Sequence, residues 1–278
     1  MNILLTGSGG FIGRNVLERL GDKHSFFAPR RAELDLLNER ETDDFFKMHR
    51  IDLILHSAAC GVRITPEATN ENIALPNIKM FENLLSHVSK NCRMITFGSG
   101  AEYDKSRALC RVRETDFGKR IPQDPYGYSK YMISKEIEKR QNVLNLRIFG
   151  IYGKYEHPSR FTSFAVSKNL NRQPVVCRRN AVFHFLYIDD FCRILDFFIQ
   201  NPVDEKAINV CPTESIDLKT LAETVNAVSD FKSELLFEKD GMNPEYTGDN
   251  SLLLKYLPDF KFTSYTDGLR AFMRFMKG

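Results

Sequence analysis

Short apolar runs alternate along the first half of the chain with longer segments whose apolar residues recur at helical spacing. The runs predict strands, and the longer segments predict the helices that connect them. The predicted strands are residues 2–6, 24–28, 52–56, 93–97 and 143–147. The predicted helices are residues 11–20, 39–49, 66–89 and 125–141. We expect Pro76 to kink or split the third helix and Asp124 to cap the fourth. This order predicts an α/β fold with a doubly wound parallel sheet.

The pattern becomes less regular after Gly153. The predicted elements are helices near 160–171, 217–228 and 266–276, a strand at 174–177, and a strand that becomes a helix over 184–200. We expect a sheet domain of residues 1–153, to which 183–210 return. We expect residues 154–182 and 211–278 to form a smaller C-terminal α/β lobe that binds the substrate. No linker rich in glycine and serine separates the parts, so they should pack tightly around a cleft.

A glycine-rich segment, TGSGGFIG at residues 6–13, lies between the first predicted strand and the first predicted helix. Gly7, Gly10 and Gly13 permit a tight turn and let backbone N–H groups approach a pyrophosphate. The positive end of the helix attracts the same phosphates. The segment therefore predicts a Rossmann-type dinucleotide-binding domain.

The end of the second predicted strand reads Ala28-Pro29-Arg30-Arg31. Folds that select NAD usually place an acid here to hold the ribose hydroxyls. Arginine instead suits a 2′-phosphate by charge and by geometry. Arg30 and Arg31 therefore favour NADP(H), with NAD(H) as the open alternative.

Tyr126 and Lys130 lie four residues apart, on one face of a predicted helix. We expect the Lys130 ammonium, together with an oxidised nicotinamide, to lower the pKa of the Tyr126 phenol. A phenol of lowered pKa is suited to general acid–base work. Ser99 ends the preceding predicted strand and could hydrogen-bond the reacting oxygen. The pattern thus predicts hydride transfer at a carbinol or carbonyl carbon.

The composition mainly argues against certain partners, metal sites and membrane helices. The 278 residues are 42% hydrophobic and 27% charged, with a net charge of +3 and interspersed signs, which argues against nucleic acid as a partner. The six cysteines form no CxxC pair, and the six histidines show no metal-ligand spacing, so we expect free thiols and no metal. The first strand begins at residue 2, and no apolar run is long enough for a membrane helix. We therefore expect a cytoplasmic protein.

Eight separate segments resemble the extended short-chain dehydrogenase/reductase family. They are TGSGGFIG at 6–13, Leu34–Leu36, His56–Ala59, Asn72, the Ser99, Tyr126 and Lys130 set, residues 146–153, residues 185–190, and residues 208–210 with Asp249. The resemblance implies a bound nicotinamide dinucleotide, a nucleotide-sugar substrate, and Ser99, Tyr126 and Lys130 as the catalytic residues. The implied cofactor-binding residues are Gly7, Gly10, Phe11, Ile12, Gly13, Arg30, Arg31, Asp35, Leu36, Ala58, Ala59, Tyr126, Lys130 and Phe149. A homodimer through helices 66–89 and 125–141 is common in the family, so we expect one here.

Departures from the family pattern argue against two of the reactions that the family catalyses. The 4,6-dehydratases carry Asp-Glu just after the serine, whereas this chain has Gly100 and Ala101, so we expect no dehydration. Glu102 comes one residue too late and should point to the other side of a strand. The length and the RRAELDL stretch look like the GDP-fucose synthase and 4-keto-sugar reductase branch. Ala101 stands where that synthase has a cysteine, so we expect no epimerisation at carbon 3 or 5.

The residues that bind the substrate phosphates in the family are not all present in this chain. Phe183 stands where the family often has an arginine for those phosphates. The candidate substrate-binding residues are Gly100, Arg160, Arg178 and Arg179.

Three functions remain open from the sequence. The first is an NADP(H)-dependent reductase of a nucleotide-linked 4-keto(-6-deoxy) sugar, in which Tyr126 donates the proton. The second is a nucleotide-sugar 4-epimerase with tightly bound NAD, which would show no net cofactor turnover. The third is an inactive Rossmann protein that senses the cofactor, which the intact Ser99, Tyr126 and Lys130 set disfavours.

Overall fold

The computed structural model describes residues 1–61 and 69–278. The strands are β1 (Asn2–Thr6), β2 (Ser25–Phe27), β3 (Leu53–His56), β4 (Arg93–Ser99), β5 (Leu109–Val112), β6 (Val143–Ile148), β7 (Gly150–Tyr152), β8 (Val175–Cys177), β9 (Val182–Phe183), β10 (Phe185–Tyr187), β11 (Ala207–Val210), β12 (Ile216–Asp217), β13 (Leu235–Phe237) and β14 (Tyr246–Gly248). The α-helices are α1 (Phe11–Leu20), α2 (Glu39–Met48), α3 (Leu75–Leu85), α4 (Pro125–Ile137), α5 (Phe161–Leu170), α6 (Ile188–Gln200), α7 (Leu218–Ala227), α8 (Ser251–Tyr256) and α9 (Tyr265–Lys277).

Six strands form one parallel sheet in the order β11-β6-β4-β3-β1-β2. The chain runs outward from β1 to β2 and then returns to place β3 on the other side of β1. The carboxyl ends of β1 and β3 therefore flank the point where the strand order reverses, which is where open α/β sheets bind ligands. The doubly wound α/β fold that the sequence predicts is confirmed.

Two apolar layers cover this sheet. One contains the inner faces of α1 and α6, including Val16, Phe191 and Phe198, and the other contains those of α2 and α3, including Phe45 and Phe81. A parallel sheet is stable only when both faces are covered in this way.

The helix predicted over 66–89 begins in residues that lie outside the described part of the chain. Its described part is a π-helical turn, Asn70–Ala74, followed by α3, which has Pro76 in its first turn and ends at Leu85. Proline has no N–H and clashes with the carbonyl of the preceding turn, so a regular α-helix cannot run through it. The predicted interruption at Pro76 is therefore confirmed, and the predicted end at 89 is wrong.

The C-terminal part of the chain contains strands that the sequence did not predict. A four-stranded sheet has the order β12-β9-β14-β5, in which β14 runs parallel to β5. Since β5 precedes α4 in the chain, this sheet joins a segment of the first half to segments of the second. Two small parallel pairs complete the sheets: β10 with β7, in segments predicted for the sheet domain, and β13 with β8, in segments predicted for the C-terminal lobe.

Candidate active site

A cleft of about 980 Å³ lies between the carboxyl ends of the main sheet and the C-terminal lobe. One half is lined by the glycine-rich turn and the residues that follow β2 and β3. The other half is lined by residues that follow β4 and β6 and by aromatic side chains of the lobe.

The glycine-rich turn is closed to larger side chains. Gly7 has φ +68°, and a Cβ there would lie 2.7 Å from the backbone nitrogen of Ala58. A Cβ on Gly13 would lie 2.3 Å from the carbonyl oxygen of Gly7, so Gly13 serves the packing of α1 against the turn rather than the cleft surface. Gly10, Phe11 and Ile12 line the cleft. This backbone surface at the start of α1 fits the pyrophosphate of a dinucleotide.

The Thr6 hydroxyl joins the ends of β1 and β3. It accepts hydrogen bonds from the backbone N–H groups of Ser57 and Ala58, each at 3.2 Å. It also lies 2.9 Å from Nδ1 of His56, whose pKa burial lowers to about 3, so the imidazole is neutral. These contacts hold Ala58 and Ala59 on the wall of the cleft.

Arg30 and Arg31 line the cleft beyond the glycine-rich turn, as do Asp35 and Leu36. The Arg30 guanidinium is the nearest group to Gly9, at 3.9 Å from the position of a Cβ there. Arg31 forms an exposed ion pair with Asp35 at 3.7 Å. Two guanidiniums therefore line the cleft next to the end of β2, where the Asp35 carboxylate is already paired with Arg31.

Ser99, Tyr126 and Lys130 all line the cleft, at the end of β4 and along the first turns of α4. The Asp124 side chain caps α4 by accepting a hydrogen bond from the Gly127 N–H at 3.0 Å, and Pro125 occupies its first turn. Lys130 Nζ lies 5.9 Å from the centroid of the Tyr126 ring. The structure thus brings a hydroxyl, a phenol and an ammonium together at the floor of the cleft.

The expected effect of Lys130 on the phenol differs from what the structure shows. Burial raises the pKa of Tyr126 to about 12, against the opposing influence of Ser99 and the more distant Arg160. Lys130 donates a hydrogen bond to the Phe97 carbonyl at 2.8 Å, and burial lowers its pKa to about 8. The sequence argument was wrong for the protein alone because it counted the cation and left out the desolvation of both groups.

Glu102 lies beneath the site and away from the cleft. It belongs to a 3₁₀ turn, Gly100–Tyr103, rather than to a strand, and is fully buried. One carboxylate oxygen accepts the Ser99 backbone N–H at 2.9 Å, and the other accepts Nε of Arg147 at 2.7 Å. The carboxylate also accepts hydrogen bonds from Ser134 and Asn145. Glu102 therefore positions the backbone of Ser99 and does not line the cleft.

The half of the cleft next to the ends of β4 and β6 has an aromatic wall. Phe149, Phe183, Phe185 and Tyr246 line it, and their rings form a chain of contacts with centroids between 5.3 and 5.9 Å apart. Tyr246 was missed by the sequence analysis, because a single tyrosine in an irregular segment carries no pattern.

The predicted substrate-binding residues divide into two groups. Arg160 lines the cleft, and its charge acts on the phenols of Tyr126 and Tyr246. Arg178 and Arg179 do not line it, because they follow β8 in the two-stranded sheet of the lobe. The Gly100 α-carbon is covered by the Phe149 ring. Lys105 and His157, which were not predicted as binding residues, also line the cleft.

Residues 1–61 and 69–278 lack two kinds of feature. No helix there is both long and apolar enough to span a membrane. No group of three or more histidine, cysteine, aspartate or glutamate side chains in this part of the chain could hold a metal ion.

The glycine-rich turn lies at the reversal of strand order, and the serine, phenol and ammonium lie opposite it. Together they define an oxidoreductase of the nicotinamide-dinucleotide class. The chain belongs to the NAD dependent epimerase/dehydratase family, whose sequence profile matches residues 3–211. The resemblance to the extended short-chain dehydrogenases/reductases is thereby confirmed.

Similar proteins cover the whole chain. A GDP-6-deoxy-D-talose 4-dehydrogenase from Aggregatibacter actinomycetemcomitans is 25% identical over 282 residues, which cover 95% of this chain and 94% of the relative. MlghC, a GDP-mannoheptose C4 reductase from Campylobacter jejuni solved with NADP bound, has a TM-score of 0.85 at 18% identity, covering 100% of this chain and 98% of that one. A UDP-glucose 4-epimerase from Thermus thermophilus, solved with NAD, has a TM-score of 0.82 at 17% identity, covering 100% and 99%. These likenesses in structure show the shared fold.

Proposed function

We propose that this enzyme is an NADP(H)-dependent reductase of a nucleotide-linked 4-keto-6-deoxy sugar. The observation that carries the proposal is the convergence of Ser99, Tyr126 and Lys130 on one cleft with the glycine-rich turn. The names of the dehydrogenase and the C4 reductase among the similar proteins support the chemistry and favour a GDP-linked sugar as the first substrate to test.

The residues of the cleft fit the cofactor. Gly7, Gly10 and the N-terminus of α1 would hold the pyrophosphate, and Arg30 with Arg31 would hold a 2′-phosphate. When bound, the reduced cofactor supplies a hydride to the carbonyl carbon. Tyr126 donates its proton to the carbonyl oxygen, and its raised pKa keeps that proton available at neutral pH. Ser99 orients the same oxygen, while the Lys130 ammonium stabilises the phenolate that remains.

The side chains present also limit the reaction. Ala101 lines the cleft and carries no acid or base, and Glu102 is buried away from it. Elimination of water requires a base near the sugar carbons, and neither position supplies one. These observations support reduction without dehydration or epimerisation at carbon 3 or 5.

The test supplies GDP-4-keto-6-deoxy-mannose with NADPH or NADH and follows absorbance at 340 nm. We expect stoichiometric oxidation of NADPH and a higher kcat/KM with NADPH than with NADH. Tyr126→Phe should lower kcat about 10²- to 10⁴-fold while dinucleotide binding stays intact. Interconversion of GDP-sugars without net cofactor oxidation would identify a 4-epimerase instead, and a preference for NADH would refute the role of Arg30 and Arg31.

We also propose a homodimer through α3 and α4. Leu75 and Met132 are apolar residues on these helices and are 57% and 38% exposed. Light scattering after size exclusion tests this, and a mass near the 32.1 kDa of one chain would refute it. A cytoplasmic location stays a prediction.

A further inference from the structure

A buried asparagine joins one wall of the cleft to the helix that carries Tyr126. Asn77 lies in the first turn of α3 and is 2% exposed. Its side-chain oxygen accepts a hydrogen bond from the Cys60 N–H at 2.7 Å, and its Nδ2 donates to the Cys60 carbonyl at 3.1 Å. Residues 57–60, which follow β3, line the cleft, and we call them the wall segment. The Asn77 amide therefore fixes the backbone of the wall segment.

The same amide reaches α4 through a serine hydroxyl. Asn77 Nδ2 also donates to Oγ of Ser129 at 3.3 Å. Ser129 Oγ in turn donates to the Tyr126 carbonyl at 2.7 Å. Ser129 is fully buried. A relay of side-chain hydrogen bonds thus runs from the wall segment through α3 to the peptide group of Tyr126.

Each donor and acceptor in this relay can be assigned. A backbone N–H can donate only to an oxygen of the amide, so the bond from Cys60 identifies Oδ1 and leaves both protons on Nδ2. Nδ2 has no lone pair, so Ser129 must accept from it and must use its own proton for the Tyr126 carbonyl. All the donors of the relay are therefore engaged. A buried polar network that is fully satisfied holds one arrangement, because any shift would leave a buried group unpaired.

The proposed reaction requires a fixed distance between the two elements that the relay joins. The proposed function places the cofactor against the wall segment and the proton donor on α4. Hydride and proton go to adjacent atoms of one carbonyl group, so a misplacement of about 1 Å can cost about 10²-fold in rate. Met80 of α3 and Ile133 of α4 share an apolar layer, but apolar packing is non-directional. Hydrogen bonds have preferred lengths and angles, so the relay sets the spacing more tightly.

We propose that Asn77 and Ser129 are positioning residues that hold the Tyr126 phenol at its working distance from the cofactor. This role rests on the proposed function for its kinetic consequence. The hydrogen bonds of the relay do not depend on which sugar the enzyme reduces.

The kinetic test uses Ser129→Ala in the full-length, cofactor-loaded enzyme. The substitution breaks the relay and leaves the hydrogen bonds between Asn77 and Cys60 in place. We expect kcat to fall by about 10- to 100-fold, because the phenol is misplaced, while the Kd for NADPH stays unchanged. In the Asn77→Ala background, where the relay is already broken, Ser129→Ala should lower kcat no further. Wild-type kcat in Ser129→Ala, or losses that multiply in the double variant, would overturn the proposal.

Ser86→Ala is the matched control. The Ser86 hydroxyl also donates to a carbonyl three residues earlier, that of Asn83 at 2.8 Å, and Ser86 does not line the cleft. This variant should keep the wild-type kcat. An equal fall in kcat in Ser86→Ala and Ser129→Ala would show a general effect of losing such a bond and would overturn the proposal.

A titration supplies a readout that needs no substrate. A trifluorotyrosine placed at position 126 ionises at lower pH than tyrosine and reports its own ionisation by ¹⁹F NMR. Saturation with oxidised cofactor, NADP⁺ or NAD⁺ according to which binds, brings a positive nicotinamide near the phenol and should lower its pKa. This effect weakens with distance, so we expect a smaller drop in pKa in Ser129→Ala than in the parent protein and an unchanged drop in Ser86→Ala. Equal drops in Ser129→Ala and the parent would overturn the proposal.

The two readouts separate this proposal from the proposed function. If the wild-type protein reduces no nucleotide-linked 4-keto sugar, the proposed function fails, and the titration still decides the role of Ser129. If the sugar is reduced but Ser129→Ala has the kcat and the pKa drop of the parent, the proposed function stands and the positioning role fails.

Discussion

Replacing Glu156 by glutamine should remove a pH dependence of stability that this one carboxyl creates. Glu156 is buried, and one carboxylate oxygen accepts the Ser163 N–H at 3.1 Å. The other oxygen has no hydrogen-bond partner among the described residues. Burial raises the pKa of Glu156 from 4.5 to about 8, against the opposing influence of Arg160 and Ser163. The folded protein therefore keeps a proton that the unfolded chain loses near pH 4.5.

The sign and the magnitude follow from proton linkage. Between pH 4.5 and about 8 the folded state binds one more proton at this site than the unfolded state, so stability falls as the pH rises. Each pH unit in this window corresponds to about 1.4 kcal/mol, which gives a ceiling of about 5 kcal/mol across it. Below pH 4.5 the contribution is fully present, and above pH 8 it is lost.

The assay is urea denaturation of the wild type and Glu156→Gln at several values of pH from 5 to 9. Glutamine has a similar shape but no titrating proton. The free energy of unfolding of the variant should therefore rise relative to that of the wild type from pH 5 to 8, and the difference should then level off. Loss of hydrogen bonds in the variant would add a constant offset, so the test concerns the slope. Glu223→Gln, on an exposed face of α7, is the matched control. A difference between the two proteins that stays flat from pH 5 to 8 would refute the reasoning.

Two further predictions concern the glycine-rich turn and the buried carboxylate beneath the site. Gly13→Ala places a methyl group 2.3 Å from the Gly7 carbonyl oxygen, which should destabilise the fold by about 1–3 kcal/mol and weaken NADPH binding, measured by thermal melting and fluorescence titration. Gly9→Ala, whose methyl group would meet no atom closer than 3.9 Å, should melt like the wild type, and equal melting of both variants would contradict the prediction. Glu102→Gln leaves the buried Arg147 guanidinium without a countercharge, which should cost about 3–5 kcal/mol in urea denaturation, whereas Glu138→Gln in an exposed ion pair should cost under about 1 kcal/mol. Similar losses in these two variants would show that Glu102 does not pair with Arg147 as described.

Local patterns account for the parts of the fold that the sequence predicted well. The bounds of β1 and α1 were predicted as the structure has them, because strand, glycines and helix follow one another within 20 residues. The N-cap Asp124 and the Pro125 that follows it likewise marked the start of α4. Signals of this kind depend on neighbours in the chain and are readable without the tertiary structure.

The parts of the fold that the sequence did not predict depend on contacts between residues far apart along the chain. The strands β9 and β12 have two residues each, too few to show alternation, and they exist because they pair with each other across the lobe. Tyr246 is brought to Gly100 by a pairing between β14 and β5, which are more than 130 residues apart. The raised pKa of Tyr126 also required the structure, since burial cannot be read from the spacing of Tyr126 and Lys130.

The pairing of β5 with β14 and of β11 with β6 has a consequence for how this protein can be divided. Each pairing takes one strand from the early chain and one from the late chain. A fragment that stops at residue 153 would keep β5 and β6 but lose both partners, leaving two bare strand edges open to aggregation. Attempts to exchange the late segments between relatives, as a route to new substrates, must therefore carry β5 along with β14. Strands from both halves of the chain must be exchanged together.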